Sequence, residues 1–122
     1  MSYDWGPYFI VPSETLRTFS GIVRLRENFD EDLLNKELEA LGFPKVVVKI
    51  TNPWYYRRKN TESWIQIGES DDKRENFPVR WDTSNLANGQ YEVLGLMHVF
   101  VKQDNVEKTI ARQSIVEVTI EN

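Results

Sequence analysis

Apolar residues recur along the chain with two different periods. From Phe19 to Arg26 they alternate, Gly21, Val23 and Leu25 on one side and Ile22, Arg24 and Arg26 on the other, which predicts a half-buried strand. Between Asn28 and Leu41 the period lengthens. Leu34, Leu38 and Leu41 fall at i, i+4 and i+7 with Leu33 beside them, which predicts one helix of about three turns over Asp30 to Leu41. Asn28 with Glu31 forms a capping-box-like start, Asp30, Glu31 and Asp32 suit the positive end of the helix dipole, and Gly42 and Pro44 stop it. Period two then returns. Lys45 to Thr51 reads as a strand broken by Asn52-Pro53, and Ser63 to Ile67 as a short strand. Glu69 to Asn76 reads as a solvated loop, followed by Phe77, Val79 and Trp81 alternating with Pro78 and Arg80. Tyr91 to Val101 is the longest strand, apolar on both faces. Lys102 to Lys108 is a polar turn, and Thr109 to Glu121 alternates again, with Ser114, Val116, Val118 and Ile120 on one side.

At the N-terminus the short apolar run Tyr8-Phe9-Ile10-Val11 lies between Pro7 and Pro12. Proline donates no backbone hydrogen bond, so the run suits a short edge strand. Residues 1–17 therefore read as an aromatic arm, and residues 18–122 as the folded domain. Many short strands with polar turns point to a two-sheet sandwich.

Composition narrows the function. A chain of 122 residues that is 40% apolar and 28% charged suits one domain with one core. A net charge of −4 argues against a nucleic-acid binder, whose affinity comes from cations on phosphates. The absence of cysteine excludes disulfides, thiol catalysis and cysteine-held zinc, and the single histidine, His98, excludes multi-histidine metal sites. No apolar run reaches the ~20 residues of a membrane-spanning helix. Met1 to Trp5 carries no signal-peptide pattern. The expected address is thus cytoplasmic or virion, or the cell surface if the chain is one module of a longer secreted protein.

The stretch Phe77 to Tyr91 carries the sharpest motif: Trp81-Asp82-Thr83, then Leu86, then Asn88-Gly89-Gln90-Tyr91. It resembles bacterial immunoglobulin-like domains, in which a strand ends in Trp-Asp-Thr and Asn-Gly-x-Tyr opens the next long strand. Ser20 to Leu25 and Trp64 to Gly68 look like two further strands of that family, whereas the helix is a departure from its pattern. The resemblance implies an all-β, Ig-like (fibronectin-III-like) two-sheet antiparallel sandwich of about seven strands, with residues 30–41 as a short inserted helix. Trp81 is expected between the sheets, and Tyr91 at a tyrosine corner, its hydroxyl bonded to upstream backbone.

The candidate contact residues are aromatic and basic. Trp54-Tyr55-Tyr56 runs directly into Arg57-Arg58-Lys59. Exposed, these rings stack on sugars and the cations take an acidic glycan or a partner carboxylate; alternating inward, the rings join the core and the cations solvate the loop. Trp5 and Tyr8, with Tyr3 and Phe9, give the arm an aromatic surface for a sandwich end, a neighbouring domain or a subunit. The acidic groups Asp30-Glu31-Asp32 and Glu69, Asp71, Asp72 are oxygen-rich enough for calcium, although dipole and solvation explain them equally and no Asp-x-Asp-x-Asp-Gly loop occurs. His98, in mid-strand, is expected to be packed or hydrogen-bonded. No nucleophile elbow or phosphate loop is present, so no catalytic residue, cofactor or metal is expected. The function expected is a non-catalytic structural or interaction module with a protein partner or neighbouring domain. A carbohydrate-binding module and an accessory domain of a larger enzyme are the alternatives.

Overall fold

In the computed structural model, residues 18–27, 29–43 and 47–122 are described. Seven strands and one α-helix follow one another among them: β1 (Thr18–Phe19), β2 (Ile22–Leu25), α1 (Glu31–Ala40), β3 (Val47–Arg58), β4 (Ile65–Ser70), β5 (Val79–Asp82), β6 (Gly89–Gln103) and β7 (Val106–Ile120). They make a five-stranded sheet in the order β1-β7-β6-β3-β4 and a two-stranded sheet of β2 and β5. The fold is all-β, a two-sheet sandwich with one short helix. Every pairing is antiparallel except β1 with β7, which runs parallel through Thr18↔Thr119 and Phe19↔Ile120.

Alternation on the long strands gives the five-stranded sheet one buried face, and two different layers cover it. At one end β2 and β5 bring Val23, Leu25 and Trp81 onto Trp54, Tyr91, Val93, Val118 and Ile120. At the other end α1 brings Leu34 and Leu38 onto Ile50, Met97, Val99 and Val101, with Phe77 beside them. The inserted helix thus finishes the second layer where the two-stranded sheet stops. Each of these fully buried aliphatic side chains contributes about 1.5–3 kcal/mol through removal from water.

The ends of α1 follow from its sequence. Asp30 is the N-cap, accepting the Leu33 amide at 3.1 Å, where the capping-box spacing had pointed to Asn28. Gly42, at φ 75°, ends the helix as expected. Its amide reaches Glu39 O at 3.1 Å and the Phe43 amide reaches Leu38 O at 2.8 Å, the paired bonds of a Schellman cap.

The expected Phe19–Arg26 strand is in fact two strands in different sheets. Gly21 adopts φ 67°, and its carbonyl accepts from the Thr83 amide at 2.9 Å and the Thr83 hydroxyl at 2.6 Å, so the chain crosses from one sheet to the other there. Asn52-Pro53 does not break β3. Toward β6 the pairing passes from Thr51↔His98 to Trp54↔Gly95, skipping the proline, while Pro53 pairs with Glu69 on β4. A missing amide is tolerated where one neighbour makes no demand for it. Phe77 is buried but not extended: Asn76 and Phe77 both sit in the left-handed region, φ 62° and 56°, and β5 begins at Val79. The polar turn expected over Lys102 to Lys108 shrinks to Asp104-Asn105, both at positive φ (51° and 63°), a two-residue turn of the kind that matches strand twist. The expected Tyr8–Val11 strand lies outside the described residues.

Candidate interaction face and a buried carboxyl layer

The Trp81–Tyr91 motif organises one end of the sandwich. Trp81 is 3% exposed and pairs with Val23 across the small sheet. Past the strand, Asp82 accepts the Ser84 amide at 3.0 Å and its hydroxyl at 2.6 Å, bonds that hold this exposed carboxyl below the usual carboxylate range. The Tyr91 hydroxyl donates to Ala87 O at 2.7 Å, the corner bond expected of it. The Asn122 side chain ties the same link down by donating to Thr83 O at 2.8 Å and Leu86 O at 3.1 Å.

The aromatic and basic stretch divides by strand alternation. Trp54 faces inward and is wholly buried, its indole N–H donating to Phe77 O at 3.0 Å. The expectation that it offers a ring to a partner or sugar is therefore corrected: from Ile50 to Tyr56 the even-numbered positions of β3 point into the core. Tyr56 also turns inward, with ring centres 5.2 Å from Trp81 and 6.3 Å from Tyr91. Tyr55 and Arg57 face outward, both half-buried. Arg57 donates to Glu92 at 3.0 Å and lies over the Trp64 ring at 4.1 Å. Arg58 reaches Asn88 O at 3.4 Å, and Lys59 pairs with Glu117 at 3.1 Å. The basic run is thus engaged within the molecule. Trp5 and Tyr8 lie outside the described residues.

The outer face of the five-stranded sheet is more apolar than a solvated sheet face requires. Leu94 pairs with Tyr55 on one side and Ile115 on the other. His98 stands between Thr51 and Ala111, and Phe100 between Lys49 and Thr109. Leu96 lies between Leu94 and His98 on the same face. Ile115 is 45% exposed, and the Lys49 ammonium sits 4.6 Å from the centre of the Phe100 ring. His98 is half-buried on this face and not in either core. The Arg57–Glu92 and Lys59–Glu117 pairs rim one end of the row.

Beneath this face lies a polar layer that sequence reasoning missed. Glu27, Glu37 and Asn52 are buried, and Arg112, on the inward row of β7, pairs with Glu37. Burial pushes the Glu27 carboxyl up to about 8, although an Asn52 hydrogen bond and the Arg112 charge pull it down. The carboxyl fits because position 95 is glycine: a Cβ there would overlap Glu27 Oε1 and come within 3.3 Å of Trp54. Two signals were available. Arg112 shares the even-numbered phase of the inward row Val116, Val118, Ile120. Glu37 stands on the same stripe as Leu34 and Leu38.

The acidic residues weighed for calcium act locally. Asp30 caps α1, Glu31 pairs with Lys73 at 3.0 Å, and Asp72 accepts the Glu75 amide at 3.3 Å. Among the described residues, no group of three or more His, Asp or Glu is placed to hold a metal ion, and no helix is long and apolar enough to cross a membrane. An open groove of about 470 Å³ runs between α1 and β3, walled by Glu31, Leu34, Lys49, Ile50, Asp71 and Lys73. No family model, curated protein or solved structure matches the chain.

Proposed function

We propose that the chain is a non-catalytic immunoglobulin-like interaction module that docks a protein partner or neighbouring domain on the outer face of its five-stranded sheet. The observation that carries this reading is the row Leu96, Phe100 and Ile115, which packs in neither core cluster, stays open to solvent and is apolar, with the buried Leu94 as its floor. Contiguous apolar surface rimmed by polar residues is the mark of an interaction site. The immunoglobulin-like part rests on the small β2–β5 sheet facing β1-β7-β6-β3-β4, on the core Trp81 and on the Tyr91 corner bond.

The test is photo-crosslinking from position 115, with position 24, on the solvent side of β2, as the control. Adducts of defined mass from position 115 alone, lost in a Leu96→Asp variant that keeps its circular dichroism, are the expected result. Equal labelling from both positions, or none from position 115, overturns it. A carbohydrate-binding role rests on the half-buried Tyr55 and Trp64 and calls for quenching of tryptophan emission by an oligosaccharide panel; unchanged emission is the result expected here.

A further inference from the structure

The two cores are separated on the inner face of the sheet by the layer Glu27, Asn52, Glu37 and Arg112, which the proposed docking face does not use. Glu27 lies on the link between β2 and α1, its backbone amide fixed to Asn76 O at 2.8 Å. Its side chain crosses to the large sheet and seats over Gly95, in space that any Cβ at that position would fill. The groups that meet it are Arg112 from β7, Asn52 and Trp54 from β3, Gly95 from β6 and the Asn76 backbone from the segment before β5, and α1 joins the layer through Glu37, which pairs with that same Arg112. Arg26, beside it in the chain, is half-buried with its Nε enclosed, and it is not among the charges that act on Glu27.

Charge accounting assigns the state of this carboxyl. The layer has one cation, Arg112, and it is paired with Glu37. A second carboxylate would leave one uncompensated negative charge in a buried layer, which is costly. A neutral carboxyl balances the layer and carries an O–H donor. Asn52, whose side chain lies in hydrogen-bond reach of Glu27, has a buried Oδ1 with no donor among its neighbours. The Asn52 contact with Glu27 runs through the amide N–H and favours the charged form, so it is burial and the single cation of the layer, not this bond, that favour the proton.

We propose that Glu27 is a proton-held latch: as a neutral acid it fastens the β2–α1 link and the helix to the large sheet, and proton loss accompanies release of α1 while the Trp81 core stays closed. The direction of the Glu27 shift agrees. The closed state keeps the proton up to about pH 8, whereas the released carboxyl holds it only to its ordinary value of 4.5. Release therefore binds fewer protons, so opening grows about tenfold per pH unit between pH 5 and 8 and levels off above 8.

The experiment is amide hydrogen exchange and 13C-carboxyl NMR on the full chain from pH 5 to 9, beside Glu27→Gln, a neutral isostere. Three results are expected. Glu27 titrates near 8. Protection of Leu34 and Leu38, corrected for base catalysis, falls about tenfold per unit up to pH 8 and stays below that of Val93 and Val118 throughout. The Glu27→Gln profile is flat. A Glu27 midpoint below 6, a flat wild-type profile, or equal protection of helix and Trp81 core overturns the latch. If Glu27→Gln does not fold, Gly95→Ala serves instead: its methyl group evicts the carboxyl, and the Glu27 midpoint must drop toward 4.5.

Discussion

Replacing Trp54 with phenylalanine tests the placement of the aromatic stretch most directly. The indole is wholly enclosed and donates to the carbonyl of Phe77, itself fully buried. Phenylalanine keeps a six-membered ring but removes the donor, leaving a buried carbonyl unsatisfied at a cost of about 1–3 kcal/mol. The smaller ring also opens a cavity, roughly 1 kcal/mol more, a fraction of the ~3–5 kcal/mol lost when a core tryptophan becomes alanine. The expected destabilisation is about 2–4 kcal/mol. Part of it is local, because the same carbonyl helps hold Asn76 and Phe77 in left-handed geometry that non-glycine residues adopt at a cost. Urea unfolding followed by far-ultraviolet circular dichroism measures the loss as a lower midpoint at unchanged slope. Faster amide exchange in residues 72–77 should accompany it, with crosslinking from position 115 intact. A loss under about 0.5 kcal/mol, the figure for an exposed surface position, would refute the burial of Trp54 and restore it as a contact residue.

Two further substitutions probe the frame. Tyr91→Phe removes the part-buried corner bond to Ala87, an exposed residue, and should lower stability by about 0.5–1.5 kcal/mol in the same assay. Gly42→Ala meets no neighbouring atom but forces a side chain onto φ 75°, so thermal unfolding should register a loss of about 1 kcal/mol with α1 still formed.

How much of this was legible in the sequence depended on whether a residue's role is local. Leu34 and Leu38, the Gly42 cap, the inward row Val116-Val118-Ile120 and the Trp81–Tyr91 motif all act through period or turn chemistry and read correctly. Pro53 misled because the rule that proline ends strands assumes both neighbours need its amide, and pairing decides that. Phe77 misled because its burial is achieved from left-handed backbone, which alternation does not encode. Gly21 turned one expected strand into two because its partners, Thr83 and Asn122, lie far along the chain. Trp54 was left between two roles, and the phase of β3 decided for the core. The Glu27 layer stayed hidden because its members come from the β2–α1 link, α1, β3 and β7, and only the close approach at Gly95 brings them together.

The β6–β7 hairpin bears on the order in which the molecule assembles. Two strands of 15 residues each meet across two turn residues, so their ladder forms from neighbours in sequence at little loop-closure entropy. The β1–β7 pair joins Thr18 to Thr119 across most of the chain. Separations of that size slow folding, and the pair gains from closure only once the intervening layers are in position. Early structure should therefore concentrate at the hairpin: truncating Val99 should slow refolding, whereas truncating Phe19 should chiefly speed unfolding, and the opposite pattern in stopped-flow kinetics would show that nucleation begins elsewhere.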